Sequence, residues 1–394
     1  MQTHLGLNAL VYGVLSLHCV YVNAPTRLDR GRRADSASGS SIGEFEPIPL
    51  DLEAMDVAAP CTSSSVDSSY GSDSCPDGSS SIADSLHPSI GSAIYKHSYE
   101  RGRRYHYFRN GKYPIPNDDR EQDREDMKHA LVLELTDGQL IAAPITDPQR
   151  IIDLGTGTGI WAMEVGDKYP MAQVVGVDLS PIQPVWVPPN VSFIIDDIED
   201  EWITSTGVYD YVHLRTVLQF VDPVKVLGRC FANMRPGGWI ETGDFDGDIH
   251  CDDGTMPPGW PVKVFWDKLA EAMPLSTDAF TDDTKERRDM QVVRRTGVLL
   301  AQAGFVNVAH KSYKVPIGIW PANKTMRLIG MYMRQVMRDF FEAAALKPYQ
   351  TLGMSDDEIS AFLATVQTAI QSCHPRGVHA YTKYYIWTAQ KPAQ

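Results

Sequence analysis

Residues 151–159 read IIDLGTGTG and residues 174–180 read VVGVDLS. Gly155, Gly157 and Gly159 alternate behind an apolar run, and Asp153 precedes the first of them by two positions. A glycine-rich turn between a strand and a helix lets a ligand approach the backbone closely. The usual dinucleotide turn is GxGxxG; this one is GxGxG with an acid ahead of it. A pyrophosphate there would be repelled by Asp153, whereas a cationic ligand would be attracted. Asp178 closes the second run about 20 residues past the turn, where nucleotide folds place the acid that accepts ribose hydroxyls. A third pair, Asp196 and Asp197, ends the next run in FIIDDIED. One of these carboxylates would accept an adenine amino group, with Ile198 packed on the ring. A phosphate-free nucleoside with a sulfonium, two ribose hydroxyls and an adenine satisfies all of this, and S-adenosylmethionine is such a molecule. Asp153 and the glycine spacing count against a nicotinamide dinucleotide and an oxidoreductase.

These residues need a scaffold, and the pattern supplies one. Strands are predicted at 150–154, 173–178, 191–195, 209–214 and 238–244, the last after the turn signal RPGG. Helices are predicted at 118–135, capped by the aspartates of NDD, and at 159–168 and 221–235. Strands alternating with helices imply a doubly wound parallel sheet. Beyond it, helices are predicted at 260–273, 284–304, 324–345 and 355–373. The stretches 305–316 and 379–392 are predicted strands, the latter rich in strong strand formers.

The chain has 394 residues, 43% of them apolar, which supports a substantial core. Its 36 basic and 50 acidic side chains leave a net charge of −14. That balance disfavours direct nucleic-acid binding, which needs local positive charge. The six cysteines form no CxxC pair and no His/Cys cluster with zinc spacing, so no metal is expected and a reducing compartment is. Residues 34–92 are rich in Ser, Asp, Gly and Pro and are expected to be disordered. Residues 5–22 are apolar but interrupted by Gly6, Asn8, Gly13, Ser16 and His18. Three readings compete there: a weak membrane anchor, a signal peptide and a dispensable extension. The extension is favoured, with a cytoplasmic location. The organisation expected is an extension at 1–92 and one domain at 93–394, with a cofactor half at 93–245 and acceptor-side elements at 246–394.

The ordered motifs resemble those of the class I S-adenosylmethionine-dependent methyltransferases and, more narrowly, the fungal LaeA-like methyltransferases. The likeness is carried by GRRYHYFRNGKYPIPNDDREQDREDMKH (102–129), IIDLGTGTGIWAMEVGDKYP (151–170), VVGVDLSPIQPVWVPPNVSFIIDDIED (174–200) and RPGGWIE (235–241). It implies a Rossmann-like sheet of seven strands, mostly parallel, with one antiparallel strand at 379–390 and helices on both faces. It implies that Asp153, Gly155, Gly157, Asp178 and Asp197 hold the cofactor, and Thr156, Gly159, Leu179 and Ile198 in the same loops are expected to bind it with them. The family includes both enzymes of secondary metabolism and regulators of it. A small-molecule acceptor is expected in the first case, protein partners and a nuclear location in the second.

On the acceptor side, His213 and Arg215 end the predicted strand 209–214, where such sheets bind ligands. His213 is read as a base or acceptor anchor, or else as a strand histidine bonded to backbone. Arg215 is read as an acceptor-carboxylate anchor or a salt-bridge partner. Tyr105 is expected to contact the methionine carboxylate or line the mouth, with charge from Arg103 or Arg104, unless that loop is merely solvated. Asp244, Asp246, Trp260, Trp266, Met326, Met333 and Met337 are candidates for the pocket or for ordinary core.

Overall fold

In the computed structural model, residues 96–202, 207–273 and 289–393 are described. The expected disordered extension at 1–92, its apolar run 5–22 and residues 284–288 of the expected 284–304 helix lie outside them; the rest of that helix is shorter than expected, a 3-10 turn at Val292–Arg294 followed by α-helix over Thr296–Gln302. In chain order the elements are β1 (His97–Glu100), β2 (Arg103–His106), α1 (Asp119–Leu135), β3 (Arg150–Leu154), α2 (Ile160–Lys168), β4 (Gln173–Asp178), β5 (Val191–Ile195) and β6 (Tyr209–Arg215). Then follow α3 (Pro223–Asn233), β7 (Met234–Phe245), α4 (Pro261–Ala272), α5 (Thr296–Gln302), β8 (Val306–Pro316), α6 (Lys324–Ala344), α7 (Leu346–Thr351), α8 (Asp356–Ala369) and β9 (Tyr381–Gln390).

Seven strands form one sheet in the order β5-β4-β3-β6-β7-β9-β8. β3 pairs in parallel with β4 and β6, β4 with β5, and β6 with β7. β9 is antiparallel to both neighbours, β7 and β8, as the resemblance implied. Strand order reverses between β3 and β6, and the crevice beyond their carboxyl ends is where such sheets bind ligands. Apolar runs such as Ile151–Ile152 in β3 and Val174–Val175 in β4 fit this sheet because helices cover both faces.

Most predicted boundaries agree with the structure to within about two residues. Two differences have clear causes. β7 begins at Met234 rather than 238, because Gly237 takes φ +79° and the strand passes an irregularity opposite Tyr209–Tyr211. The helix predicted from 221 starts at Pro223, where Asp222 accepts a hydrogen bond from the Lys225 N–H and a 3-10 turn, Leu218–Phe220, precedes it.

α1 carries an unusual face. Glu121, Arg124, Lys128 and His129 on it are all buried. Its N-terminus is clamped by the β1–β2 hairpin: Arg103 Nε donates to Asp118 Oδ2 at 2.5 Å, and Arg104 Nη2 to the Asn117 carbonyl at 2.8 Å. Asp118 also caps the helix, accepting from Glu121 N–H, and the Arg103 guanidinium helps hold its carboxyl below the usual range against the opposing effect of burial. Arg103 and Arg104 therefore anchor this helix rather than charge the mouth of the crevice.

Candidate functional site

The crevice at the carboxyl ends of β3 and β6 opens into a cleft of about 930 Å³. Its floor is the glycine turn. Gly155, Gly157 and Gly159 all have positive φ, at +72°, +59° and +82°. A Cβ on Gly155 would lie 2.5 Å from Val217 Cγ2, so the bare backbone there lets two loops pack together. A Cβ on Gly157 would meet nothing within 4 Å, because it would project into the cleft. The second glycine is thus bare for the sake of the cavity, while the first is bare for the sake of the fold.

Asp178, at the end of β4, faces this turn. Its Oδ2 accepts from Gly157 N–H at 2.8 Å and its Oδ1 from Ser180 N–H at 2.8 Å. Each oxygen keeps a lone pair for a ligand hydroxyl. Burial pushes its carboxyl up to about 6. Gln183 Nε2 donates to the Gly157 carbonyl at 2.7 Å and fixes the turn from the other side. Leu179, Asp196, Asp197 and Ile198 complete that wall.

Asp197 is 3% exposed, and its position differs from the expectation of a free acceptor. Its Oδ2 is paired with the Lys112 ammonium, its Oδ1 accepts from Glu199 N–H at 3.0 Å, and Lys112 also reaches Glu199 at 2.7 Å. Lys112 therefore occupies the acceptor that an adenine amino group would use. Asp196 lines the cleft beside it and hydrogen-bonds Asp197 N–H at 2.8 Å.

Four residues expected at the ligand stand elsewhere. Asp153 is buried below the turn, where its Oδ1 pairs with His213 Nδ1 at 2.7 Å and its Oδ2 accepts from Thr156 Oγ1 at 2.6 Å. Each oxygen has a scaffold partner and neither residue lines the cleft, so Asp153 and Thr156 brace the turn. Gly159 caps α2, its missing Cβ making room for the Phe193 ring. Tyr105 pairs with Ser98 in the hairpin and packs under Lys347 Nζ at 5.4 Å; Tyr113 lines the cleft in its stead.

His213 is a correction too. It is 4% exposed, held by Asp153, and stacked on Trp161 with ring centroids 3.7 Å apart. It lines only a narrow cavity behind the turn, so it meets neither cofactor nor acceptor in the cleft. Arg215, two residues on, does line the cleft and forms no ion pair among the described residues.

A second cavity of about 580 Å³ adjoins the first, and Tyr113, Glu125, Lys128, Thr216 and Phe220 line both. Its far wall is apolar: Phe245, Trp266, Met333, Met337 and Phe340, with Trp266 stacked on Phe340 at 5.4 Å. Trp266, Met333 and Met337 thus face a cavity as well as the core. Trp260 is plain core, and Met326 lies beside a separate surface groove. Asp246 holds His250 at 2.8 Å, Arg294 at 3.1 Å and Thr382 at 3.1 Å, outside both cavities.

The junction between the cavities was not anticipated. Lys128 Nζ pairs with Glu125 Oε2 at 2.5 Å, and Arg124 Nη2 with Glu121 Oε1 at 2.5 Å. Lys128 and Arg124 hold the Glu125 carboxyl well below its usual range despite burial, while burial lowers the Lys128 ammonium. Thr216 sits here at φ +58°, an outlier for a β-branched residue, pinned by its N–H donating to the Gly243 carbonyl at 2.8 Å. Its buried Oγ1 has no partner among the described residues. The charge run DREQDREDMKH was the signal in the sequence, with acids and bases at helical spacing immediately before an apolar half-helix.

Comparison with known proteins agrees with this architecture. A family described as "Methyltransferase domain" matches residues 121–310. The methyltransferase pytC of Aspergillus terreus is 35% identical over 315 residues, covering 78% of this chain and 92% of that protein. This chain belongs to the class I methyltransferases, in the LaeA-like family. The secondary metabolism regulator LAE1 of Cochliobolus heterostrophus is 33% identical, covering 75% of this chain and 95% of its own. The secondary metabolism regulator laeA of Aspergillus flavus is 33% identical, covering 75% of this chain and 77% of its own. Among the described residues of this methyltransferase, no helix is long and apolar enough to cross a membrane.

Proposed function

We propose that this methyltransferase binds S-adenosylmethionine in the larger cleft and methylates a small secondary metabolite held in the adjoining cavity. The observation that carries this is the pairing of Gly157, bare toward the cleft, with the ligand-facing carboxylate of Asp178. When bound, the cofactor supplies an already activated methyl group. Gly155 and Gly157 give it backbone to lie against, Asp178 accepts its ribose hydroxyls, and Asp196 or Asp197 takes its adenine amino group once Lys112 withdraws. Arg215 is the cation near its carboxylate end.

The protein's task is then alignment and exclusion of water. Phe220, edge-on to Tyr113 at 5.0 Å, lines both cavities and adds apolar wall between them. Asp153 and His213 act at one remove by holding the turn. The same reading takes the acceptor as a small molecule, expects no direct contact with nucleic acid, and places the protein in the cytoplasm. Calorimetry with S-adenosylhomocysteine tests it: micromolar binding, undisturbed by NADH, is expected, and absence of binding would sink it.

A second reading is favoured by the names of two relatives, which are regulators of secondary metabolism. On it, the protein acts in the nucleus through protein partners. A fluorescently tagged copy excluded from nuclei would remove that reading.

A further inference from the structure

The second cavity carries chemistry that narrows the acceptor. Its charged lining residues are Arg124, Glu125 and Lys128, two cations to one carboxylate. Arg124 is already committed to Glu121 and lies over the Phe340 ring at 5.4 Å. Lys128, 5% exposed, is paired only through Glu125 among the described residues, which leaves ammonium protons for a ligand. Two lining residues also carry a buried polar atom with no partner among the described residues: Thr216 Oγ1 and Trp266 Nε1. Buried polar groups ordinarily find partners, so two orphans on one cavity point to a ligand that supplies them.

Among the described residues the same lining holds no usable base. His213 is locked to Asp153 behind the turn. Glu125 is held ionised by the cations beside it and is a weak proton acceptor. Asp244 lines neither cavity. An acceptor bound here must therefore arrive with its proton already lost.

Resting on the cofactor reading above, we propose that the second cavity takes a flat, mostly apolar acceptor bearing an acidic enol or phenol, bound as its oxyanion against Lys128, with a carbonyl donated to by Trp266 Nε1. The acceptor leaves its proton in solvent before it binds. Its oxygen lone pair then forms the new C–O bond, and the methyl's bond to sulfur breaks with its electron pair left on sulfur. Amines, which would bring a cation or an extra proton to Lys128, are excluded.

The test uses the full chain and two isosteric probes, 4-hydroxycoumarin and 4-aminocoumarin, titrated by calorimetry at neutral pH with and without S-adenosylhomocysteine. The enol should bind at least about tenfold more tightly, as one charge-assisted hydrogen bond allows. Lys128→Met should abolish that preference. Trp266→Phe, which removes only a donor from an aromatic wall, should weaken both probes alike, with circular dichroism checking that each variant is folded. Equal affinities, binding of neither probe, or a preference that survives Lys128→Met would overturn the proposal. Should Lys128→Met not fold, unchanged affinities in Trp266→Phe would overturn it instead. Binding of S-adenosylhomocysteine without an enol preference defeats only this inference, whereas failure of S-adenosylhomocysteine itself to bind defeats the cofactor reading.

Discussion

Asp153 and His213 are register partners on adjacent parallel strands, and their side chains meet at 2.7 Å beneath the glycine turn. The carboxylate's other oxygen holds Thr156, so one buried pair ties β3, β6 and the turn together. Removing one member of such a pair leaves an uncompensated buried group. We expect His213→Ala to lower the unfolding free energy by about 3 kcal/mol in urea denaturation. Loss of turnover at unchanged stability would instead return His213 to the chemistry.

Asp178 binds a ligand hydroxyl best as a carboxylate, and burial has moved its ionisation up to about 6. Asp153 and Glu125 add to the shift, while the Gly157 and Ser180 amides oppose it. Affinity for S-adenosylhomocysteine should be flat above about pH 7 and fall roughly tenfold per unit below about pH 5. Asp178→Asn should lose both the affinity and this dependence. Calorimetry across that range reads both.

The two glycines should separate by phenotype. Gly157→Ala places a methyl in the cleft at φ +59°, and should fold with about 1–2 kcal/mol of strain while losing cofactor binding. Gly155→Ala drives a methyl to 2.5 Å from Val217 and should show its damage first in thermal stability. Equal effects of the two on binding and on melting would contradict this division.

Asp244 is 2% exposed, its Oδ1 has no partner among the described residues, and burial raises its carboxyl to about 8. The folded state thus holds a proton that the unfolded state has released. That contribution to stability is complete below about pH 4 and is lost as pH rises to about 8. Asp244→Asn, which resembles the protonated acid, should stabilise the protein at pH 9 by a few kcal/mol, on the order expected for a shift this large. Denaturation curves for both proteins at acid and alkaline pH would show whether the difference grows with pH.

Thr216 combines a strained backbone with a lone buried hydroxyl. Thr216→Val keeps the shape and removes the orphan, so it should stabilise by about 1 kcal/mol. Turnover should nonetheless fall, because the junction of the cavities loses its hydroxyl. A variant as active as the parent would show that the hydroxyl has no part in binding.

The sequence by itself determined the sheet, the glycine turn and the acids at the ends of β4 and β5. Each is a local signal: apolar runs of strand length, a turn that only glycine tolerates, a carboxylate at a strand end. It also placed Asp153, Thr156 and His213 close to the site, but their roles depended on which way the side chains turn. Parallel register alone brings His213 opposite Asp153, 60 residues away, and satisfies both inside the protein. Lys112 was invisible as a rival for Asp197 because 85 residues separate them and the contact exists only once the segment before α1 reaches the loop after β5. The charges on one face of α1 are spaced for pairing along the helix, which does not by itself say whether that face is solvated or buried. Packing against α6 buried that face and made it the wall between the two cavities, because ions paired with one another can be enclosed where single charges cannot.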